Sequence, residues 1–208
     1  AHEKAITLLK LVGISSPEQS IHSYPHEFSG GMRQRVMIAM ALSCEPKLLI
    51  ADEPTTSLDV TIQAQILNLM RRLKESFKTS IMLITHDFGV VAEFCSRVIV
   101  MYGGLIVEEG TVDQIFYSAK HPYTLGLLKS IPNPHNKSKK RLEPIAGTPP
   151  DLIDPPSGCP FFPRCQYAMK ICSVQIPPSI EIEEGHKSLC WRMHPDAPEH
   201  KELAKDIN

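Results

Sequence analysis

The stretch LLIADEPTTSLD, residues 48 to 59, decides the fold class. An apolar run typical of a buried strand changes at Asp52 and Glu53 to two adjacent carboxylates. Adjacent acids at a buried strand end repel each other unless a cation or a proton relieves them. Mg²⁺ suits Asp52, because this ion binds one or two carboxylates together with phosphate oxygens and water. Glu53 would then orient and deprotonate a water. Alternatively, the two acids belong to a solvent-exposed turn before Pro54 and have no catalytic role.

Helix and strand patterns alternate on both sides of this stretch. Such alternation predicts an α/β fold with a mostly parallel sheet, in which ligands bind beyond the carboxyl ends of the strands. Apolar periodicity predicts helices over residues 1–12, 31–43, 60–77, 88–95 and 111–116, and strands over residues 47–52, 80–85, 97–102 and 105–109.

His86 follows the second predicted strand, in ITHD at residues 84 to 87. In that position it would hydrogen-bond a γ-phosphate and sense whether ATP is intact. A single histidine at a strand end is more often structural. Its place relative to Asp52 favours a site, because both strand ends would open on the same edge of the sheet.

Two adjacent glycines, Gly30 and Gly31, lie between Ser29 and a strongly helical run in PHEFSGGMRQRVMIAMAL, residues 25 to 42. Glycine at a helix start costs conformational entropy, and a plain turn is one reason to accept that cost. The other reason is a ligand that approaches the backbone where free N–H groups point outward. The Ser29 hydroxyl and the N–H groups up to Met32 would form such an anion site, favoured by the helix dipole.

Taken in order, SGGMRQR, LLIADEPTTSLD and ITHD resemble the signature, the Walker B motif with its D-loop, and the switch histidine of ABC transporter ATPases. The resemblance covers residues 1 to 131. It implies a P-loop NTPase fold that uses ATP and Mg²⁺. Such subunits close head to tail around two ATP molecules, and hydrolysis reopens them.

The resemblance also assigns a role to each candidate residue. Ser29 and its glycines would cap the γ-phosphate of ATP held by the opposite subunit. Asp52 would serve the magnesium, Glu53 the attacking water and His86 the γ-phosphate. Asp59 would form the D-loop contact across the dimer, although a plain helix N-cap before residue 60 explains it equally well.

No G-x-x-x-x-G-K-[ST] occurs in these 208 residues. We therefore expect a partial NTPase fold, the C-terminal portion of an ATPase subunit without the Walker A region. Such a piece would not hydrolyse ATP alone and would expose apolar sheet edges. The signature departs from the common leucine-serine-glycine-glycine-glutamine at Phe28 and Met32, but the backbone N–H of Met32 would still serve.

Composition changes near residue 131. Residues 132–208 hold 13 of the 18 prolines and four of the six cysteines. The stretch SIPNPHNKSKKR at the change is typical of an exposed basic linker, and a solvated loop is favoured over a binding patch. The sequence therefore predicts two parts, residues 1–131 and a loop-rich extension over residues 132–208.

Four cysteines, Cys159, Cys165, Cys172 and Cys190, are separated by 5, 6 and 17 residues. Four thiols in such a segment bind Zn²⁺ or an iron–sulfur cluster, or pair as disulfides. Disulfides are disfavoured in the reducing cytosol that ATP use implies. Zinc is the weaker expectation, because no pair has the usual two to four intervening residues.

This tail and the HPYTLGLLKSIP that precedes it resemble the C-terminal region of the oligopeptide and dipeptide importer ATPases. In that subfamily the four cysteines are associated with a 4Fe–4S cluster. A structural role for the cluster is favoured over a regulatory one, because the tail has little core of its own.

Net charge is −1 and no apolar run approaches the ~20 residues of a membrane span. Nucleic acid is therefore not expected as a partner, and the protein is expected to be soluble and intracellular. The resemblance implies a peripheral ATPase at the cytoplasmic face of the cell membrane. Its partners would be a second ATPase subunit, identical or paralogous, two permease subunits and an extracytoplasmic solute-binding protein.

The transported solute stays open among peptides, nickel and oligosaccharides. Two other classes compete with the importer subunit. One is a soluble ABC-type ATPase that acts on nucleic acid or ribosomes. The other is a non-catalytic metal-binding regulator built on an ATPase remnant, which the absent Walker A motif keeps open.

Overall fold

The computed structural model describes residues 1–56, 58–131 and 144–197. The chain divides into two compact units, Ala1–Val90 and Val91–Asn208. Most of the predicted basic linker lies outside the described residues, and the domain boundary near residue 131 stays a prediction. No helix among the described residues is both long enough and apolar enough to cross a bilayer.

The first unit contains the helices and the two strands predicted for it, with ends within a few residues of the sequence-based bounds, and one short helix, Pro17–Ser20, that was not predicted. In chain order they are α1 (His2–Leu11), α2 (Pro17–Ser20), α3 (Gly30–Leu42), β1 (Leu48–Asp52), α4 (Val60–Phe77) and β2 (Ser80–Ile84), and α5 (Phe88–Phe94) follows across the division between the units.

The two strands of the first unit form a parallel pair, with Leu48 opposite Ser80 and Asp52 opposite Ile84. The 18-residue helix α4 is the crossover that a parallel pair requires. Its predicted apolar stripe is buried at Ile66, Leu69, Met70 and Leu73. The strands themselves keep apolar side chains exposed at Leu48, Ile50, Met82 and Ile84.

Helix α3 packs on α4 so closely that one of the two glycines at its start is required by space. A Cβ added at Gly31 would lie 2.8 Å from Cγ2 of Ile62, whereas one at Gly30 would meet Leu58 at an ordinary 3.6 Å. Arg35 then ties α3 to the end of α1 by donating a 2.6 Å hydrogen bond to the carbonyl of Val12. Helix α3 therefore contacts α4 through Gly31 and the end of α1 through Arg35.

The second unit is built on an antiparallel sheet. Its elements are β3 (Arg97–Tyr102), β4 (Leu105–Thr111), α6 (Val112–Ser118), α7 (Pro122–Lys129), β5 (Ile180–Glu183) and β6 (His186–Ser188), and the strand order is β3-β4-β6-β5. The unit also contains three short 3-10 turns among the described residues, Phe162–Arg164, Lys170–Ser173 and Trp191–Met193.

The prediction of a mostly parallel sheet is wrong for this unit. Strands β3 and β4 are joined by Gly103 and Gly104 alone, with φ of 56° and 79°. A two-residue loop with positive φ joins antiparallel neighbours, whereas parallel neighbours need a crossover of a dozen residues or more. The Gly-Gly pair in the sequence was the signal for a hairpin. A capping box formed by Thr111 and Gln114 opens α6.

A fully buried acid joins the hairpin to the C-terminal strand and to α7. Oε1 of Glu108 lies 2.9 Å from Nε2 of His186 on β6 and accepts a 2.6 Å hydrogen bond from the N–H of Lys120. Oε2 accepts a 3.0 Å bond from the N–H of His121, the N-cap residue of α7. Both side chains of the Glu108–His186 pair are completely buried. One carboxylate therefore connects three segments of this unit.

Replacing Glu108 by alanine removes the acceptor of two backbone N–H groups and leaves His186 buried without this partner. Because each unpaired buried polar group costs about 1–3 kcal/mol, we expect the free energy of unfolding to fall by about 3 kcal/mol or more. Urea unfolding of the full-length gene product, followed by the fluorescence of Trp191, measures this loss in the second unit.

The matched control is Glu109→Ala on the same strand. Glu109 forms a partly exposed pair with Lys187 at 3.2 Å, and loss of a pair of that kind costs less than about 1 kcal/mol. Equal losses in the two variants would contradict a special role for the buried carboxylate.

Candidate functional site

The parallel pair brings the predicted catalytic residues together. Because β1 and β2 end at the same edge, Glu53 and His86 lie side by side, with Oε1 of the glutamate 3.2 Å from Nδ1 of the histidine. Both side chains are accessible, Glu53 by 47% and His86 by 80%. The expectation that these strand ends open on one edge is confirmed, and the edge is open to a ligand.

Glu53 is held in an unusual backbone conformation. Its φ is +44°, a region that non-glycine residues seldom adopt and that clusters at functional sites. Its N–H continues the strand pairing with a 2.9 Å bond to the carbonyl of Ile84. The Thr56 hydroxyl donates a 2.8 Å bond to Oε2, which leaves Oε1 directed toward His86.

These contacts also affect ionisation. The hydrogen bond from Thr56, and next that with His86, lower the pKa of the Glu53 carboxyl below its ordinary value. Glu53 is therefore ionised at neutral pH and able to accept a proton. A lowered pKa makes this carboxylate a weaker base, so proton transfer from a water requires that the water be acidified or well positioned by its surroundings.

The loop that carries His86 is fixed by the next residue. Asp87 caps α5 through Oδ1, which accepts bonds from the N–H groups of Gly89 at 2.8 Å and Val90 at 3.2 Å. Its other oxygen accepts a 3.1 Å bond from Nε2 of Gln63 on α4. His86 therefore projects from a turn that the hydrogen bonds of Asp87 hold in place.

Asp52 is the last residue of β1 and is exposed. Among the described residues, no group of three or more His, Cys, Asp or Glu side chains is arranged to hold a metal ion. A single carboxylate still fits the usual protein share of a Mg²⁺ site, because this ion takes its other ligands from phosphates and water.

Ser29 caps α3, as its position in the sequence suggests. Its Oγ accepts a 3.3 Å bond from the N–H of Met32, and its extended backbone places the carbonyl as acceptor for Arg33. The hydroxyl hydrogen of Ser29 stays available, and the N–H groups of Gly30 and Gly31 have no carbonyl partner within the helix. The Met32 N–H, expected to face a phosphate, is engaged in the cap.

Of the two roles predicted for Asp59, the structure shows the helix N-cap. It is the N-cap of α4, and its Oδ1 accepts a 2.9 Å bond from the N–H of Ile62. Its role in a contact with a second subunit stays a prediction. Leu58, one residue earlier, packs near Gly30, so the D-loop stretch and the signature helix are neighbours within this unit.

The four cysteines of the tail line one pocket in the second unit, together with aromatic rings, two prolines, His121 and Arg192. All are free thiols. Burial lowers the pKa of His121 to about 4, so this side chain is neutral at physiological pH. Two turns cross closely next to Cys172, because a Cβ added at Gly158 would overlap the carbonyl oxygen of Cys172.

Three of the thiols receive backbone N–H groups. The donors are Phe161 and Phe162 for Cys159, Tyr167 for Cys165 and Arg192 for Cys190. Burial nevertheless raises the pKa of each of these thiols, to about 12 for Cys190. The described thiols do not form a metal site as placed, so the expected 4Fe–4S cluster, like the weaker zinc alternative, stays a prediction.

Sequence reasoning missed several residues that support this chemistry. Thr56 was not predicted, although in a turn a hydroxyl three residues after an acid can donate a hydrogen bond to that acid. Asp87 before a helical run was a readable N-cap signal. Gln63 and Arg192 gave no local signal, because each meets its neighbours only through the fold.

Two family models match the chain. The ABC transporter model matches residues 1–56, and the model for the C-terminal region of oligopeptide/dipeptide transporters matches residues 107–172. The chain is 58% identical over 198 residues to the oligopeptide transport ATP-binding protein OppD of Bacillus subtilis, covering 95% of this chain and 55% of that protein. It is 50% identical over 206 residues to the dipeptide transport ATP-binding protein DppD of the same organism, covering 99% and 61%.

Solved structures give the same result for the fold. The chain is similar to cbiO1 of Clostridium perfringens, part of the ABC transporter complex cbiONQ, with 32% identity, a TM-score of 0.50, and coverage of 56% of this chain and 45% of that one. The chain spans less than two thirds of the length of OppD and DppD. By the two family models and these relatives, the chain belongs to the family of oligopeptide and dipeptide ABC transporter ATP-binding proteins.

Proposed function

We propose that the chain is part of an ATP-hydrolysing subunit of an ABC importer for oligopeptides or dipeptides. The observation that carries the proposal is the Glu53–His86 contact of 3.2 Å at the carboxyl ends of two parallel strands. Such an edge is where α/β sheets bind their ligands. The relatives OppD and DppD, named for oligopeptide and dipeptide transport, support the solute class.

Glu53 is the proposed general base for the attacking water. The bond from Thr56 holds Oε2, so Oε1 is the oxygen that faces the open edge. An ionised carboxylate there accepts the proton of a water that attacks the γ-phosphate in line. His86 contributes a ring nitrogen toward the same phosphate, and the brace at Asp87 keeps it near the edge.

Asp52 and Ser29 bind the substrate in this proposal. Asp52 supplies one oxygen to the magnesium of MgATP, whose remaining ligands are phosphates and water. Ser29, Gly30 and Gly31 present a hydroxyl and two N–H groups at the positive end of α3, which favours a phosphate. The phosphate bound there belongs to ATP on a second ATPase subunit, identical or paralogous. Asp59 lies on the facing D-loop.

The subunit would act at the cytoplasmic face of the cell membrane, as a peripheral partner of two permease subunits and of a solute-binding protein. The competing classes, a metal-binding remnant and a soluble ATPase outside transport, have no comparable support among the relatives. The expectation that a Walker A loop is missing and that the protein is inactive alone has no support in the comparisons either.

We further propose that Cys159, Cys165, Cys172 and Cys190 hold an iron–sulfur cluster. Four thiols around one pocket, three of them approached by backbone N–H groups, are the ligand set that such clusters use. The cluster would cross-link turns that have little core of their own.

Replacing Glu53 by glutamine tests the catalytic proposal. Glutamine has the same shape but cannot take a proton, so we expect ATP turnover by the full-length gene product, with the subunits that copurify, to fall at least about 100-fold. Binding of ATP, measured with a fluorescent analogue, should persist.

The matched control is Glu75→Gln, which makes the same change on the exposed face of α4. Turnover of this control should equal that of the unaltered protein. Turnover by Glu53→Gln within a fewfold of the control would rule out Glu53 as the base.

Anaerobic purification tests the cluster. The unaltered protein should contain iron and acid-labile sulfide in equal amounts, with a broad absorption near the violet end of the visible spectrum. Cys165→Ser should lose most of the iron, because a serine replaces one thiolate ligand. Cys44→Ser, which changes an exposed cysteine of the first unit, should retain it. Stoichiometric zinc in place of iron would contradict the proposal.

A further inference from the structure

Two exposed aromatic rings lie on the short segment that leads into α3. The rings of Tyr24 and His26 are stacked, with their centroids 5.8 Å apart and their planes 11° from parallel. The side chain of Tyr24 is 68% exposed, and His26 is exposed as well. Aromatic rings held parallel at a surface offer a flat face that is stabilised when another flat ring stacks on it. The Tyr24–His26 pair therefore has the properties of a stacking platform.

A tight turn holds this pair in place. Residues Pro25–Glu27 form a single 3-10 turn, and the proline at its first position fixes φ there. Oε2 of Glu27 accepts a 2.6 Å hydrogen bond from the N–H of Tyr24, and the N–H of Glu27 donates a 3.0 Å bond to the carbonyl of Tyr24. Because the turn is already ordered, a ligand that stacks on it costs little conformational entropy.

The turn and the start of α3 form one continuous stretch of chain. Only Glu27 and the half-buried Phe28 separate His26 from Ser29, and the N–H of Phe28 donates a 3.4 Å bond back to the carbonyl of Pro25. Three residues of chain span at most about 10 Å, which is comparable to the separation of the terminal phosphate and the nucleoside of ATP. A triphosphate that ends at Ser29 can therefore place its nucleoside beside the aromatic pair.

We infer that the Tyr24–His26 pair covers one face of the adenine of the ATP whose γ-phosphate binds at Ser29. The inference rests on the proposed function and names the part of the substrate that this segment recognises. The segment then binds ATP at both ends, the phosphate through hydrogen bonds and the base through stacking. Every base has a π-face, so the pair strengthens nucleotide binding without reading the edge of adenine.

Steady-state ATP hydrolysis by the full-length gene product, with the subunits that copurify, tests the inference. A ring-free variant carries Tyr24→Ala together with His26→Ala. We expect its KM for ATP to rise at least about fivefold, because stacking on aromatic side chains contributes that much or more to the binding of a base. The value of kcat at saturating ATP should stay nearly unchanged, because the rings touch no reacting atom.

Two further variants serve as controls. A ring-preserving variant, Tyr24→Phe together with His26→Phe, keeps both aromatic faces and should have a KM close to that of the unaltered protein. Tyr117→Ala removes an equally accessible tyrosine, 80% exposed on α6 of the second unit, and should leave KM unchanged.

A ligand without a base separates stacking from a merely structural role of the two rings. Ribose 5′-triphosphate has the phosphates and the sugar of ATP but no adenine. Its inhibition constant against ATP hydrolysis should therefore be the same in the ring-free variant as in the unaltered protein, although KM for ATP differs. If ribose 5′-triphosphate does not inhibit, the ring-preserving variant decides, because only stacking is restored by rings without a hydroxyl or ring nitrogens.

Each outcome supports or overturns the inference. An unchanged KM in the ring-free variant overturns it and leaves the importer proposal standing, because ATP is still hydrolysed. Equal rises in KM and in the inhibition constant of ribose 5′-triphosphate also overturn it, since they show damage to the phosphate site. A raised KM that the ring-preserving variant does not restore has the same consequence. An unaltered protein that does not hydrolyse ATP overturns the proposed function together with this inference.

Discussion

The parallel pairing of β1 with β2 is the constraint on which the candidate site depends. The pairing continues one residue past β1, through the N–H of Glu53 and the carbonyl of Ile84, and Glu53 adopts a positive φ at this point. Because the side chains of a strand alternate, a slip of one residue would turn Glu53 away from His86. The buried stripe of α4, the crossover between these strands, holds that register.

Much of the first unit could be predicted from its sequence, because its signals are local. Apolar periodicity marked α4, and a continuous apolar run that ends in an acid marked β1. The antiparallel sheet was missed because the alternating order outweighed the plain hairpin signal of Gly103 and Gly104. Contacts between distant segments, such as Glu108 with His186, have no local signature. The sequence shows that Gly30 and Gly31 are adjacent, but only the structure distinguishes their roles. A Cβ at Gly31 would collide with Ile62, whereas Gly30 has room for one.

The second unit buries several polar side chains, and only some of their atoms have hydrogen-bond partners among the described residues. Glu108 has a partner for each oxygen and joins three segments, so it behaves as a structural element. Arg192 lies over the ring of Tyr167, and two of its nitrogens have no hydrogen-bond partner among the described residues.

We propose that the start of α3 contacts the γ-phosphate of ATP, and this contact can be tested directly. Orthovanadate trapped with MgADP occupies the place of that phosphate, and ultraviolet light then cleaves the polypeptide beside it. Mass spectrometry of the trapped full-length gene product, with its copurifying subunits, locates the cut. The account predicts cleavage at Ser29 or at the adjoining Gly30, dependent on both vanadate and light. Efficient trapping with cleavage elsewhere and none near Ser29 would contradict it.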